Sequence, residues 1–225
     1  MSEDTASLVS VVIPAFNAGA YLEEAIRSVL DQDYRPLEAI VVDDGSADRT
    51  AEVARSFGPP VRVLVQTHAG AGAARNAGAA VARGVWLAFL DADDLWMPHA
   101  LERLANALAG DSQLGLVYGQ VVEFREIGGE LVEKPPATGL LSGATLLRKR
   151  LFDRVGWFDT GLRIGEFVDW CARARELGVR FASLPEPVLR RRIHGENTGV
   201  RERAARADYA RVAHAALQRR RERAK

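Results

Sequence analysis

The sequence predicts an α/β fold in which a Rossmann-like parallel sheet flanked by helices is followed by a mixed or antiparallel half and a C-terminal helix. Three observations carry this expectation. Between residues 8 and 110, short β-branched runs alternate with segments of helical periodicity, as expected of a parallel sheet with crossover helices. After Gly110, glycine and proline pairs interrupt longer strand-like runs. The tail from Arg201 to Lys225 is arginine-rich with helical spacing.

Strands are expected at Val9 to Ile13, Glu38 to Val42, Val61 to Val65 and Val85 to Leu90. Between the first two, Leu22, Ala25, Ile26, Val29 and Leu30 recur at helical spacing, so one face of that helix covers the sheet before Pro36 ends it. A second helix follows Asp48. A third runs from Ala73 to Arg83, where small residues permit close approach to the strands, and Pro98 suits the first turn of a fourth that reaches Ala109. Beyond Gly110 the expectations are a strand at Leu114 to Phe124, a hairpin turn at Gly128-Gly129 and a loop at Pro135-Pro136. A helix over Ser142 to Arg150 follows, then one opened by Gly165-Glu166 that ends at Leu177, and strands at Val179 to Leu184 and Val188 to Ile193. The chain reads as a single domain over 1–225, comprising an 8–110 half, a 111–200 half and the 201–225 basic helix.

With 225 residues the chain can bury a sizeable core. Its 30 Lys plus Arg balance 30 Asp plus Glu, so no global field draws it to nucleic acid or anionic lipid. Cys171 is the only cysteine, which excludes an intrachain disulfide and suits a reducing compartment. The start Met1-Ser2-Glu3-Asp4 is acidic where a secretory signal is basic, and no run approaches the roughly 20 apolar residues that span a bilayer. A cytoplasmic protein, with membrane contact at most peripheral, is expected.

In an open parallel sheet, ligands bind beyond the carboxyl ends of the strands, near the point where strand order reverses. Four polar turns fall at those ends: Pro14-Ala15-Phe16-Asn17, Asp43-Asp44-Gly45-Ser46, His68-Ala69-Gly70-Ala71-Gly72 and Asp91-Ala92-Asp93-Asp94. Three carboxylates within four residues repel one another, and a hard cation such as Mg²⁺ or Mn²⁺ removes that conflict while completing its shell with phosphate and water. Asp93 is the first choice of ligand, with Asp91 turned toward a ribose or the metal and Asp94 behind them. The competing reading is an Asp-rich turn that caps the next helix. Asp44 is placed to meet a nucleobase imide, or else closes a strand-ending turn. Gly70 and Gly72 permit close backbone approach and Arg75 can meet a phosphate or base, although the loop lacks the GxGxxG spacing and also suits tight helix packing.

In their order, VSVVIPAFN, VVDDGS, GAGAARNAG and WLAFLDADDLW resemble the family 2 glycosyltransferases of the GT-A fold, over roughly residues 8 to 195. The resemblance implies an inverting transferase that uses a divalent cation and a nucleoside diphosphate sugar, with a UDP-sugar the commonest donor among look-alikes. By position, Pro14 and Phe16 of the Pro14-Ala15-Phe16-Asn17 turn would line the nucleoside pocket, Asp44 would hold the base with Arg75 beside it, and Asp91-Ala92-Asp93 would be the Asp-x-Asp signature. Such enzymes commonly carry Glu-Asp at the start of an acceptor-side helix; here Phe167 replaces the second acid. That leaves Glu166 as the preferred general base and Asp169 as the reserve, while both also suit a helix N-terminus electrostatically.

Arg190-Arg191-Arg192-Ile193-His194 falls where the family often closes a basic or histidine-bearing segment over the diphosphate, so His194 would touch phosphate or metal; an exposed basic strand is the alternative. Trp157, Phe158, Phe167 and Trp170 form either an apolar wall for a sugar or core packing. In the tail, Ala204, Ala205, Tyr209, Val212, Ala213 and Ala216 share one side, which suits docking on the body or a homodimer contact ahead of a weak membrane patch. The acceptor, whether glycan, lipid-linked or peptide, is not identified by any motif in residues 110 to 200. Two other functions compete: a non-catalytic nucleotide-sugar-binding scaffold, motivated by Phe167, and a nucleotidyltransferase, disfavoured because no Gly-rich segment with a lysine follows the first strand.

Overall fold

The computed structural model describes residues 7–195 and 207–223. The first half contains β1 (Val9–Ala15), α1 (Leu22–Leu30), β2 (Leu37–Asp43), α2 (Thr50–Ser56), β3 (Val61–Val65), α3 (Ala71–Val81), β4 (Trp86–Phe89), β5 (Leu95–Trp96) and α4 (Ala100–Gly110). The second half contains β6 (Leu114–Ile127), β7 (Glu130–Glu133), β8 (Ala137–Thr138), a 3₁₀ turn (Ser142–Ala144), β9 (Thr145–Arg148), α5 (Leu151–Val155), α6 (Glu166–Glu176), β10 (Arg180–Arg192) and α7 (Ala207–Arg223). No described helix is long and apolar enough to cross a membrane.

Both halves contribute to one ten-stranded sheet of order β3-β2-β1-β4-β9-β6-β10-β5, with β7 and β8 paired to β6. The first four strands of that order are mutually parallel. β9 runs antiparallel between β4 and β6, β10 returns parallel to β6, and β5 lies antiparallel on β10. Strand order reverses at β1, whose neighbours are β2 and β4, so the carboxyl ends of β1 and β4 open a crevice.

Each side of the sheet carries its own apolar layer. On one, Leu22, Ile26 and Val29 of α1 join Leu101, Leu104 and Leu108 of α4. On the other, Ala74 and Ala79 of α3 join Phe152, Phe158, Phe167 and Trp170. The four aromatics proposed for a sugar wall therefore divide: Phe158, Phe167 and Trp170 are core, while Trp157 is exposed against Phe152. Close packing of α3 depends on Gly78, where a Cβ would lie 2.3 Å from Val12 Cγ1.

Three expectations need correction. The helix over Ser142 to Arg150 is instead the 3₁₀ turn and β9. Leu146 and Leu147 point into opposite apolar layers, and a strand buried on both faces loses the alternation by which sequence reveals it. Val179 to Leu184 and Val188 to Ile193 belong to one strand, β10, whose register on β6 shifts around Pro187, where the ladder loses an amide donor. Pro98 does not open α4: Leu95–Trp96 forms β5, Met97 N–H donates to Val188 O, and the helix starts at Ala100. In the tail, Ala204 and Ala205 lie outside the described residues; Val212 is buried, and α7 docks on α6.

Candidate active site

The β1 and β2 turns are tied to each other. Asp44 N–H donates to Ala15 O, Asn17 N–H donates to Ser46 Oγ, and Ala47 N–H donates to Asn17 Oδ1. Asp43 closes its own turn by accepting from Ser46 N–H at 3.0 Å. Pro14, Ala15 and Ala92 face the interior, whereas Phe16 is 45% exposed and stacks on His68 with ring centroids 4.0 Å apart.

Asp44 is buried, and its carboxylate organises the glycine loop. It accepts from Gln66 Nε2 at 2.7 Å, Ala69 N–H at 2.9 Å and Gly70 N–H at 2.8 Å, with His68 Nδ1 2.9 Å away. Three N–H donors and the His68 ring nitrogen occupy the lone-pair directions of a carboxylate. In this arrangement Asp44 shapes the wall beside Phe16 and is not aimed into open space.

Arg75 projects from α3 into the centre of the crevice. Its guanidinium donates through Nη1 to Glu166 Oε1 and through Nη2 to Asp91 Oδ1 at 2.5 Å. Burial alone would lower its pKa, but Asp91, Glu166 and Asp93 hold it above the ordinary arginine value. Among the described residues, Nε is buried without a hydrogen-bond partner. Glu166 is presented by the left-handed Gly165 that starts α6, and it too is buried. Asp169 does not join this group. One turn further along α6, it pairs with Arg173 at 2.8 Å and Arg219 at 3.5 Å.

At the acidic turn, the Asp91 side chain is 42% exposed and remains open to the crevice. Asp93 Oδ2 lies 2.9 Å from His194 Nε2. Burial and then the charge on Asp91 push the Asp93 carboxyl above its ordinary range, against the opposing effect of His194. Asp94 is pushed well above, by burial first and then by Asp91 and Asp93, although it accepts Arg192 N–H at 2.8 Å. Asp91 and Asp93 offer oxygen ligands of the kind a hard divalent cation takes. The ligand atoms of Asp91, Asp93 and His194 do not converge within 4.8 Å; among the described residues the set that does is the exposed Asp33, His99 and Glu102. One or two protein ligands are what Mg²⁺ or Mn²⁺ takes where phosphate and water complete the shell.

The end of β10 closes this side. Arg192 donates to Asp93 O at 3.0 Å and to Glu24 at 2.5 Å, and its guanidinium lies over the rings of Tyr21 and Phe124. Tyr21 also meets the His194 ring at 4.9 Å. Arg190 and Arg191 are committed to Glu133 and Glu123. Tyr21, Glu24 and Gln66 were not anticipated from sequence. The position of Tyr21 and Glu24 at the start of the helix after β1 was the available signal, because helices after parallel strands begin over the crevice.

A mostly parallel sheet with an acidic turn after β4 and a second half folded against that crevice is the GT-A architecture. Residues 10–163 match the family described as Glycosyl transferase family 2. The chain belongs to that family of transferases. It is 31% identical over 226 residues to an uncharacterized glycosyltransferase of Rickettsia typhi, covering 88% of this chain and 68% of the relative. Similarity to the uncharacterized glycosyltransferase YibD of Escherichia coli is 38% over 154 residues, or 65% and 44% of the two chains. In fold it resembles the crystal structure of Staphylococcus aureus TarS 1-349, with a TM-score of 0.69, 22% identity and coverage of 82% and 60%. The chain thus spans between 44% and 68% of the length of these proteins.

Proposed function

We propose that this chain transfers a sugar, with inversion, from a UDP-sugar to an acceptor hydroxyl, with Mg²⁺ or Mn²⁺ at Asp91 and Asp93. The observation that carries the reading is the convergence of Asp91, Asp93, Arg75 and Glu166 on the crevice at the strand ends. The choice of nucleotide is supported by TarS 1-349, which has been solved in complex with UDP and with UDP-GlcNAc.

In this reading the uracil stacks on the exposed Phe16 ring, beside the loop that Asp44 shapes. Asp91 and Asp93 hold the cation, with His194 fixing Asp93. Once bound, the cation supplies compensation for the charge that develops on the departing diphosphate. Glu166 accepts the acceptor's proton, which is worth about 10²- to 10⁴-fold in rate. Asp169, committed to Arg173 and Arg219, has no such task.

Asp93→Ala is expected to abolish metal-dependent donor turnover in a protein that still folds, and full turnover would overturn the assignment. Glu166→Gln is expected to keep UDP affinity and lose transfer. The replacement of the second acid of the Glu-Asp pair by Phe167 supports a second reading, a donor-binding protein without transfer. Calorimetry with UDP-sugars, paired with an assay of UDP release, separates the two, because a binder alone shows heat without product.

A further inference from the structure

Most of the contact between α7 and the turn that presents Glu166 lies beyond the residues matched to the family. Asp208, buried in the first turn of α7, accepts the Arg163 N–H at 3.0 Å. Arg211 pairs with Asp208 at 3.0 Å and reaches Gly161 O at 3.4 Å. Tyr209 lies against Gly165, where a Cβ would be 3.2 Å from two of its ring carbons. At the far end, Arg219 donates to Glu176 at 2.9 Å and to Asp169 at 3.5 Å. Asp169 in turn holds Arg173, whose Nη atoms donate to Val155 O and Trp157 O.

Gly165 has a left-handed φ of 83° and no side chain to cap α6. The direction in which Glu166 leaves the helix is therefore set by whatever holds residues 161–165. On the α3 side, Asn76 holds Phe158 through two hydrogen bonds. On the other side α7 contacts the turn through Asp208, Arg211 and Tyr209. We infer that α7 is a positioning element for Glu166, with Asp208 as its principal contact: Asp208 and Tyr209 hold the 161–165 turn so that the Glu166 carboxylate faces Arg75. The inference rests on the reading of Glu166 as the proton acceptor.

The test uses the full chain with Asp208→Ala, the conservative Asp208→Asn, Glu166→Gln, and Asp208→Ala combined with Glu166→Gln. Three quantities are measured: hydrogen exchange of the 160–169 amides, affinity for UDP with Mn²⁺, and UDP release from UDP-glucose, UDP-galactose and UDP-N-acetylglucosamine. Asp208→Ala is expected to speed exchange at Arg163 to Glu166 at least tenfold, lower turnover at least tenfold and leave UDP affinity within twofold. Asp208→Asn, which keeps one acceptor oxygen, recovers most of the turnover. In the Glu166→Gln background the turnover effect of Asp208→Ala disappears while the exchange effect remains. Unchanged exchange in Asp208→Ala overturns the inference, as does an equal turnover loss in both backgrounds. Full turnover by Glu166→Gln alone instead removes the proton-acceptor reading, and exchange still decides whether α7 holds the turn. If Asp208→Ala does not fold, Arg219→Gln at the other end of the contact is expected to give the same pattern in smaller degree, and parental exchange there overturns it.

Discussion

Arg75 offers the sharpest test of the crevice, because one buried guanidinium balances two carboxylates of different exposure. In Arg75→Met the Glu166 carboxylate stays buried without its partner, while Asp91, with 42% of its side chain exposed, recovers hydration. Only the Glu166 pair therefore counts in full, and removing one member of a buried pair costs about 3–5 kcal/mol. We expect the lower end, about 3 kcal/mol, since Arg75 Nε has no partner among the described residues to lose. With a urea m-value of about 2 kcal/mol/M, the midpoint falls by about 1.5 M. Arg75→Met combined with Glu166→Gln removes both charges from the pair and is expected to recover about 2 kcal/mol of that loss. Urea unfolding of the parent, both single variants and the double variant closes the cycle, and because the pair is sheltered, raising salt should not erase the coupling. A loss below about 1 kcal/mol for Arg75→Met, or strict additivity in the cycle, would show that the pair is solvated and refute the reasoning.

Three further outcomes follow from the same geometry. Gly78→Ala places a methyl 2.3 Å from Val12 Cγ1 on a fully buried strand, so overpacking of about 1–3 kcal/mol should outweigh the helix-propensity gain and lower the urea midpoint; an unchanged or raised midpoint would show that α3 can move off β1. Phe16→Ala should weaken calorimetric binding of UDP with Mn²⁺ by about tenfold, the loss of one stacking contact, and unchanged affinity would place the base elsewhere. Burial raises the Glu38 pKa, but Ser10 Oγ–H, Arg83 N–H and Arg62 together outweigh it and hold the carboxyl below its ordinary range. A depressed folded-state pKa contributes stability above the unfolded value that is lost as pH falls through the folded one. Glu38→Gln should therefore flatten the acid limb of stability below the ordinary glutamate range, and an unchanged limb would exclude Glu38 as its source.

The first half was legible because its elements obey simple periodicities. The apolar positions of α1 recur at helical spacing, and its predicted apolar positions coincide with the observed helix. β2 and β3 are short β-branched runs bounded by turns. The second half was harder to read for physical reasons. β9 feeds both apolar layers and so shows no alternation, β5 is two residues long, and β10 carries two prolines whose register shifts look like a break in the chain. Pairing across the sheet decided these elements, and pairing is not a local property of sequence.

For the site, the clustering of polar residues at strand ends was visible, but the direction each side chain takes was not. Asp44 is placed by sequence to meet a nucleobase or to close a strand-ending turn, yet the amides that face its carboxylate belong to the Gly70 loop after β3, a long-range pairing that the local sequence does not encode. From sequence, Glu166 is preferred over Asp169 only for its place at the start of α6. In space they separate, because Glu166 leaves the helix toward Arg75 whereas Asp169 is held by Arg173 and Arg219. Phe167 shows why the departure from the expected acidic pair is physically consistent. It is buried within 6.3 Å of Phe158, in the layer that also holds Trp170. A carboxylate at 167 in this packing would lie among aromatic rings, where burying a charge is costly. Glu166, one position earlier, has Arg75 within reach. Under the proposed reading Glu166 is the proton acceptor, so UDP release is expected to survive every neutral replacement of Asp169 that leaves α7 in place, and its loss in such a variant would move the assignment to Asp169.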